Sequence, residues 1–305
     1  MSASLPPVTY RPATPADSRA VHAVFETALA DLIRRLGMAD PDEALTPDAL
    51  WGINASLYAH LARTAEHFWL AEADGQVVGY ARSIRRADVR ELTEFFVRPG
   101  RQSAGVGREL LARAFPSAGA RRRVINATID PRAQARYLKA GVYPRFPIYY
   151  FSRAPEAAPA GALGDLTAEP AGGGPETLAA LRAIDQAVLG HSREVDHAWL
   201  LTDRTGFVYW RGGRPVGYGY VGARCGPFAL MEARDYPAVL AHAETRAAEQ
   251  GRPRFSLEVP MVNQAAVDHL LRRGAAIDSF FTLLMQDAPF GRFENYILTS
   301  PPFFL

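Results

Sequence analysis

Between residues 91 and 113 an apolar run, Phe95-Phe96-Val97, leads into Gln102-x-x-Gly105-x-Gly107 and then straight into a helix-forming stretch. Gly105 and Gly107 have no Cβ to hold an anion off the main chain. The amides of Ser103, Ala104, Gly105, Val106, Gly107 and Arg108 can then turn toward phosphate oxygens, with the helix dipole in support. Arg101 and Arg108 add positive charge at the rim. A Gly-x-Gly before a helix is equally the mark of a tight turn without a ligand, so the loop alone leaves both readings open. A Walker-type phosphate loop is excluded, because no Gly-Lys-Ser/Thr follows.

Other chemistry-bearing residues point less sharply. Glu91 and Glu94 fall on the same strand, where strict alternation puts them on opposite faces unless a bulge intervenes; a solvated strand carboxylate is the plain alternative. The 7 histidines show no His-x-x-x-His or other ligand spacing, which leaves metal catalysis without support. The single cysteine, Cys225, excludes an internal disulfide framework and suits a reducing cytoplasm. Arg121-Arg122-Arg123 reads as a solvated turn, since a nucleic-acid surface would want more basic residues interleaved with aromatics. Phe146, Tyr149, Tyr150 and Phe151 read as core.

The elements that must position the loop follow from periodicity. Ala20, Val21, Val24, Phe25, Leu29, Leu32 and Ile33 recur at helical spacing within 16–36, and a second helix is expected over 47–65. Strand-like runs cover 8–11, 67–73, 76–85 and 89–97, with Asp74-Gly75 as a hairpin signal. After the loop come a helix over 106–115, a strand over 124–129, a helix over 133–140 and an aromatic strand over 143–153. The order β-α-α-β-β-β-α-β-α-β predicts an α/β fold with one mixed sheet flanked by helices. A dinucleotide fold is disfavoured, because a helical start and antiparallel strands precede the loop.

The chain has 305 residues, 48% hydrophobic and 22% charged, enough for two globular domains. Residues 154–175 are dominated by Ala, Pro and Gly, which marks a linker. Either side of it, Gly75-x-x-x-Gly79-Tyr80 is echoed by Gly213-x-x-x-Gly217-Tyr218. Further on, Asp130-x-x-Ala133-x-x-x-Tyr137-x-x-x-Gly141 is echoed by Asn263-x-x-Ala266-x-x-x-Leu270-x-x-x-Gly274. Two echoes in one order at nearly one offset indicate a duplicated domain. The expected division is 1–153, a linker at 154–175, and 176–305. Residues 1–153 hold 21 basic and 15 acidic residues (+6) and residues 154–305 hold 13 and 17 (−4), so the first stretch is the better home for an anion.

The loop with its preceding Val-Arg-Pro, followed by Tyr137-x-x-x-Gly141, resembles the GCN5-related N-acetyltransferase (GNAT) superfamily over nearly all of 8–153. The resemblance implies acetyl-CoA as cosubstrate, with Gln102 and the loop amides on its pyrophosphate. It implies that main-chain groups of Phe95, Phe96 and Val97 pair with the pantetheine arm, and that one amide, Val97 first, polarises the thioester oxygen. It implies Tyr137 as the acid for the departing thiolate and Glu91, eleven residues before Gln102, as base, with Glu94 the other candidate. Asp130 stands where relatives carry a coenzyme-contacting asparagine; a carboxylate lacks the amide donors. The second half keeps the shell of the fold but reads Met231-Glu-Ala-Arg-Asp-Tyr-Pro where the loop should fall, without glycine, and has Leu270 for Tyr137. It resembles a degenerate copy.

The expected protein is thus a cytoplasmic acetyl-CoA-dependent N-acetyltransferase, a tandem of two GNAT-like domains, acting on a small-molecule or peptide amine. No nucleic-acid partner, membrane span or secretory leader is expected, and the oligomeric state is open. The alternatives are a CoA-binding sensor or scaffold without turnover, or an acyltransferase with another acyl donor or a hydroxyl acceptor. Asn54, Tyr58 and His60, in the segment where the family varies its acceptor wall, do not name the acceptor. The apolar closing stretch Tyr296–Leu305 is expected to dock on the body of the protein.

Overall fold

A computed structural model describes residues 7–38, 45–102, 105–301 and 303–305. The chain forms two compact units. The first comprises residues up to Ile125 together with Asp130–Val142, and the second Asn126–Ile129 with Tyr143–Leu305.

In the first unit, β1 (Thr9–Pro12) precedes two helices, α1 (Ser18–Arg35) and α2 (Pro47–Thr64). The α1 stripe buries Val21, Val24, Phe25, Leu32 and Ile33, as its spacing requires. The start of α2 is fixed by Thr46, whose side chain accepts from the Ala49 amide at 3.2 Å, and by Pro47 at the first turn. The strands β2 (Ala65–Ala73), β3 (Gln76–Arg86) and β4 (Val89–Val97) form an antiparallel meander. Its first hairpin turns on Asp74 and Gly75 at φ 51° and 70°, the left-handed pair that a two-residue turn demands. Next come α3 (Val106–Ala114), β5 (Arg122–Thr128) and α4 (Pro131–Lys139). β5 runs parallel to β4, so the strand order is β1-β2-β3-β4-β5.

The final strand of the first repeat, β6 (Tyr143–Arg153), clusters with the second unit. This differs from the expected division after residue 153, and the pairing explains it. β6 lies between β11 (Phe255–Pro260) and β12 (Ala276–Gln286), antiparallel to both. Local sequence gives β6 its strand propensity but says nothing of which edge it will join.

The expected linker also departs from the composition reading. Within it, β7 (Thr167–Pro170) pairs with β8 (Thr205–Arg211), and Leu166 is buried. The rest of the second unit comprises α5 (Pro175–Val188), α6 (Glu194–Asp203), β9 (Arg214–Val221), β10 (Phe228–Leu230), α7 (Tyr236–Glu249), α8 (Gln264–Arg272) and β13 (Tyr296–Ile297). A five-stranded sheet runs β13-β10-β9-β8-β7.

The echoed residues do the same local work in each unit. Asp130 caps α4 and Asn263 caps α8, while Gly141 and Gly274 end those helices at φ 78° and 77°, the left-handed C-terminal position glycine favours.

On β11, Glu258 is buried, and desolvation pushes its carboxyl up to about 7 against the pull of Arg204 and Arg224. The folded chain therefore binds this proton more tightly than the unfolded chain. Its contribution to stability is full below the unfolded value and is lost as pH rises through 7. Glu258→Gln should stabilise the second unit at about pH 8, the gain shrinking toward about pH 4.5; denaturant titrations at the two pH values check this.

Candidate active site

The site elements meet at the end of β4. The β4–β5 ladder runs from Val89↔Arg122 to Leu92↔Ile125 and stops there. At the same point the β3–β4 register shifts between Arg82↔Glu94 and Ser83↔Leu92, leaving Thr93 as an extra residue. This bulge changes the parity. Glu91 pairs with Ile84 and Glu94 with Arg82, and Ile84 and Arg82 are two residues apart, so both glutamates lie on one sheet face.

Beyond the bulge, Glu94–Val97 pair with β3 on one side. The Arg98 amide donates to the Val78 carbonyl at 2.9 Å, so Arg98 faces β3 and Val97 faces away. The N–H and C=O of one strand residue point to the same side. Both main-chain groups of Val97, and by alternation those of Phe95, therefore lie on the edge away from β3, while those of Phe96 are turned to it. Gln102 donates its side-chain amide to the Val97 carbonyl at 3.0 Å and so ties the loop to that edge.

Gly105 caps α3 at φ 84°, a conformation open to glycine at no steric cost. Gly107 is required by packing, because a Cβ there would lie 3.0 Å from the Phe95 ring and 3.3 Å from Nε of Arg136. Glycine thus lets the helix start lie against the strand. The first-turn amides have no carbonyl four residues back. That of Arg108 is taken by the Gly105 carbonyl at 3.0 Å; the Arg108 guanidinium stays exposed beside Glu109. Ser103 and Ala104 lie outside the described residues. Arg136, half-buried against Gly107, escaped the sequence reading, although it directly precedes Tyr137.

Glu94 is sealed in. Its Oε1 accepts from the Tyr80 hydroxyl at 2.8 Å, and its Oε2 from Arg82 Nε at 2.6 Å and from Arg82 Nη2. Both side chains of the ion pair are 0% exposed. Tyr58 lies 3.3 Å from Tyr80, oxygen to oxygen, and the Arg82 guanidinium stacks over the Tyr58 and Phe68 rings. Burial, and then the Glu94 charge, push both phenols well above the usual tyrosine range. Arg82 was also missed; it sits two residues from inward-facing Tyr80, and that parity is the signal for a buried arginine.

On the same side, His22 Nε2 lies 3.0 Å from Asn54 Nδ2 and 3.1 Å from Glu26 Oε1, with Trp51 edge-on at 5.4 Å. His60 is buried, as is Glu91. Tyr137 is 5% exposed, its ring 6.1 Å from that of Phe95. Burial, then the Asp130 charge, hold its phenol above the ordinary tyrosine value. Asp130 has a structural task. It caps α4 through the Arg132 amide at 2.9 Å and pairs with Arg35 at 2.9 Å. Burial works against its ionisation, yet bonds from Arg132 and Arg35 keep its carboxyl below the usual carboxylate range.

In the second unit a turn of 3₁₀ helix over Ala233–Asp235 replaces the glycine loop, and Asp235 is tied to Arg211 at 2.7 Å. Among the described residues, no cluster of three or more His, Cys, Asp or Glu could hold a metal ion, and no helix is long and apolar enough to cross a membrane.

Residues 28–142 match the model of the Acetyltransferase (GNAT) family. No curated protein sequence matches the chain. Among solved structures, a putative acetyltransferase from Pyrococcus horikoshii superposes with TM-score 0.71 at 14% identity, covering 95% of this chain and 92% of its own. A tandem GNAT protein of the clavulanic acid biosynthesis pathway gives 0.58 at 14% identity, covering 93% and 99%. A GCN5-related N-acetyltransferase from Sphaerobacter thermophilus gives 0.58 at 16%, covering 94% and 98%. The chain as a whole has the fold of tandem GNAT proteins. Through residues 28–142 it is similar to the GNAT acetyltransferase family.

Proposed function

We propose that the first unit is an N-acetyltransferase that takes acetyl-CoA as cosubstrate and passes its acetyl group directly to an amine of a small molecule or peptide. The observation that carries this is the edge of β4, released from β5 after Leu92 and running to a helix start stripped of side chains at Gly105 and Gly107. The residues fit the coenzyme: Gly105 opens the helix start without a side chain, and the outward main-chain groups of Phe95 and Val97 match an extended amide-bearing arm. Bound there, the thioester supplies an activated acyl carbon and a sulfur leaving group.

The chain's own groups then have distinct tasks. Amides of Gly105, Val106 and Gly107 hold the diphosphate, with Arg136 adding charge beside them. The Val97 amide faces the acyl oxygen and stabilises negative charge that develops on it. As the C–N bond forms and the C–S bond breaks, Tyr137 gives its proton to the sulfur; a phenol held above its ordinary pKa is protonated throughout the working range. Glu94 is a positioning residue, because Arg82 and Tyr80 already occupy both its oxygens. The amine proton leaves toward Glu91, on the same face, through water. The cytoplasm, where Cys225 stays reduced, is the proposed compartment.

A thiol-release assay with acetyl-CoA and a panel of primary amines tests this. Amine-dependent thiol release is expected; coenzyme binding without release under any amine or hydroxyl acceptor would favour the sensor reading instead.

A further inference from the structure

The second repeat has its own version of the opened strand edge, and the chain's C-terminus fills it. The register makes the equivalence residue by residue. In the first unit Gly79↔Val97, Tyr80↔Phe96 and Ala81↔Phe95 pair across β3 and β4. In the second, Gly217↔Leu230, Tyr218↔Ala229 and Gly219↔Phe228 pair across β9 and β10. Gly79-Tyr80 and Gly217-Tyr218 are the echoed residues, so Phe228-Ala229-Leu230 stand where Phe95-Phe96-Val97 stand in the first repeat.

The outer edge of that segment is paired with β13, through Phe228↔Ile297 and Ala229↔Tyr296. On its other side the same tail meets β11, where the Leu298 amide donates to the Glu258 carbonyl at 3.1 Å. Two side chains complete the parallel. Asn263, the echo of Asp130, donates its amide to the Tyr296 carbonyl at 3.2 Å. Asn295 donates to the Leu230 carbonyl at 2.8 Å, as Gln102 does to the Val97 carbonyl. The tail is locked beyond this point by Arg204, which donates to the carbonyls of Cys225 and Ser300 at 3.1 and 2.6 Å. Phe304 is buried at its end against Trp199.

We propose that residues Tyr296–Leu298 are a built-in ligand of the second repeat: they add a strand in the position that the first repeat reserves for the coenzyme arm, so the chain takes one coenzyme and the second slot is a peptide-binding site. The assignment of a coenzyme arm to the first slot rests on the proposed function; the occupation of the second slot by the tail does not. Main-chain pairing on an opened edge supplies the attachment, and Asn263 reads the added strand as a side-chain amide reads a bound peptide.

A protease site placed in the exposed Gly291-Arg292 turn, cut in the folded full chain, makes the tail a separate peptide. The tail should co-elute with the body and exchange with an excess of a fluorescent 292–305 peptide. Asn263→Asp keeps the capping oxygen but loses the donor, and should speed release about tenfold. Release of the tail on cutting, with unchanged amide exchange at Phe228–Leu230, would overturn the proposal. In the uncut chain, Ile297 and Leu298 amides should exchange as slowly as those of β10; exchange a hundredfold or more faster, on the order of loose termini, would also overturn it. Calorimetry with coenzyme A should find one site per chain, and two would overturn it. No site at all would count against the proposed function alone, because the peptide exchange still decides the tail.

Discussion

Tyr137→Phe should lower kcat about a hundredfold, within the usual range for loss of a general acid, and leave KM for the coenzyme nearly unchanged. The phenol is buried, meets Phe95 edge-on and closes the helix that Asp130 caps. Phenylalanine keeps that volume and removes only the proton. Since burial holds the phenol above its ordinary value, the group stays protonated across the working range. The loss should therefore be a constant factor from about pH 6 to about pH 9, with the ascending limb of the rate profile unmoved. Steady-state rates across that range, with thermal unfolding as a control for folding, make the check. A shift of the ascending limb would assign Tyr137 to amine deprotonation and sink the role given it here.

Arg82→Met should destabilise the first unit by about 3–5 kcal/mol, the cost of leaving a buried charge without its counter-ion. Glu94 and Arg82 are both sealed from water, and Tyr80 supplies the other donor to Glu94. Glu94→Gln should fall in the same range for the converse reason. Arg82→Met combined with Glu94→Gln should recover most of the loss, because neither charge then remains. Denaturant titrations of the three variants give the coupling directly. The same set separates positioning from catalysis. If Glu94 were the base, Glu94→Gln would abolish turnover per folded molecule while Arg82→Met, stable or not, would not reproduce that effect.

Much of this was legible in the chain. The helix face in α1, the second helix over 47–65, the Asp74-Gly75 hairpin, the echo of Asp130 in Asn263, and the loop from Gln102 to Gly107 all appear in the sequence, because each depends on residues a few positions apart. The duplication was legible for the same reason, since the echoed glycines and caps serve local geometry in both copies.

What the tertiary structure alone decided concerns edges and parity. The aromatic strand Tyr143–Arg153 is evident as a strand, but its partners, β11 and β12, are not, since backbone donors and acceptors along an edge are alike for every residue. One extra residue at Thr93 moves Glu91 and Glu94 to the same face, and no side-chain preference announces it. Glu94 looks like a free carboxylate until Arg82, twelve positions earlier, is folded against it. The tail Tyr296–Leu305 is visibly too apolar to hang in water, yet which slot it enters is set by hydrogen bonds to strands far away in the chain. Sequence records what each segment can form, and the three-dimensional pairing determines with whom.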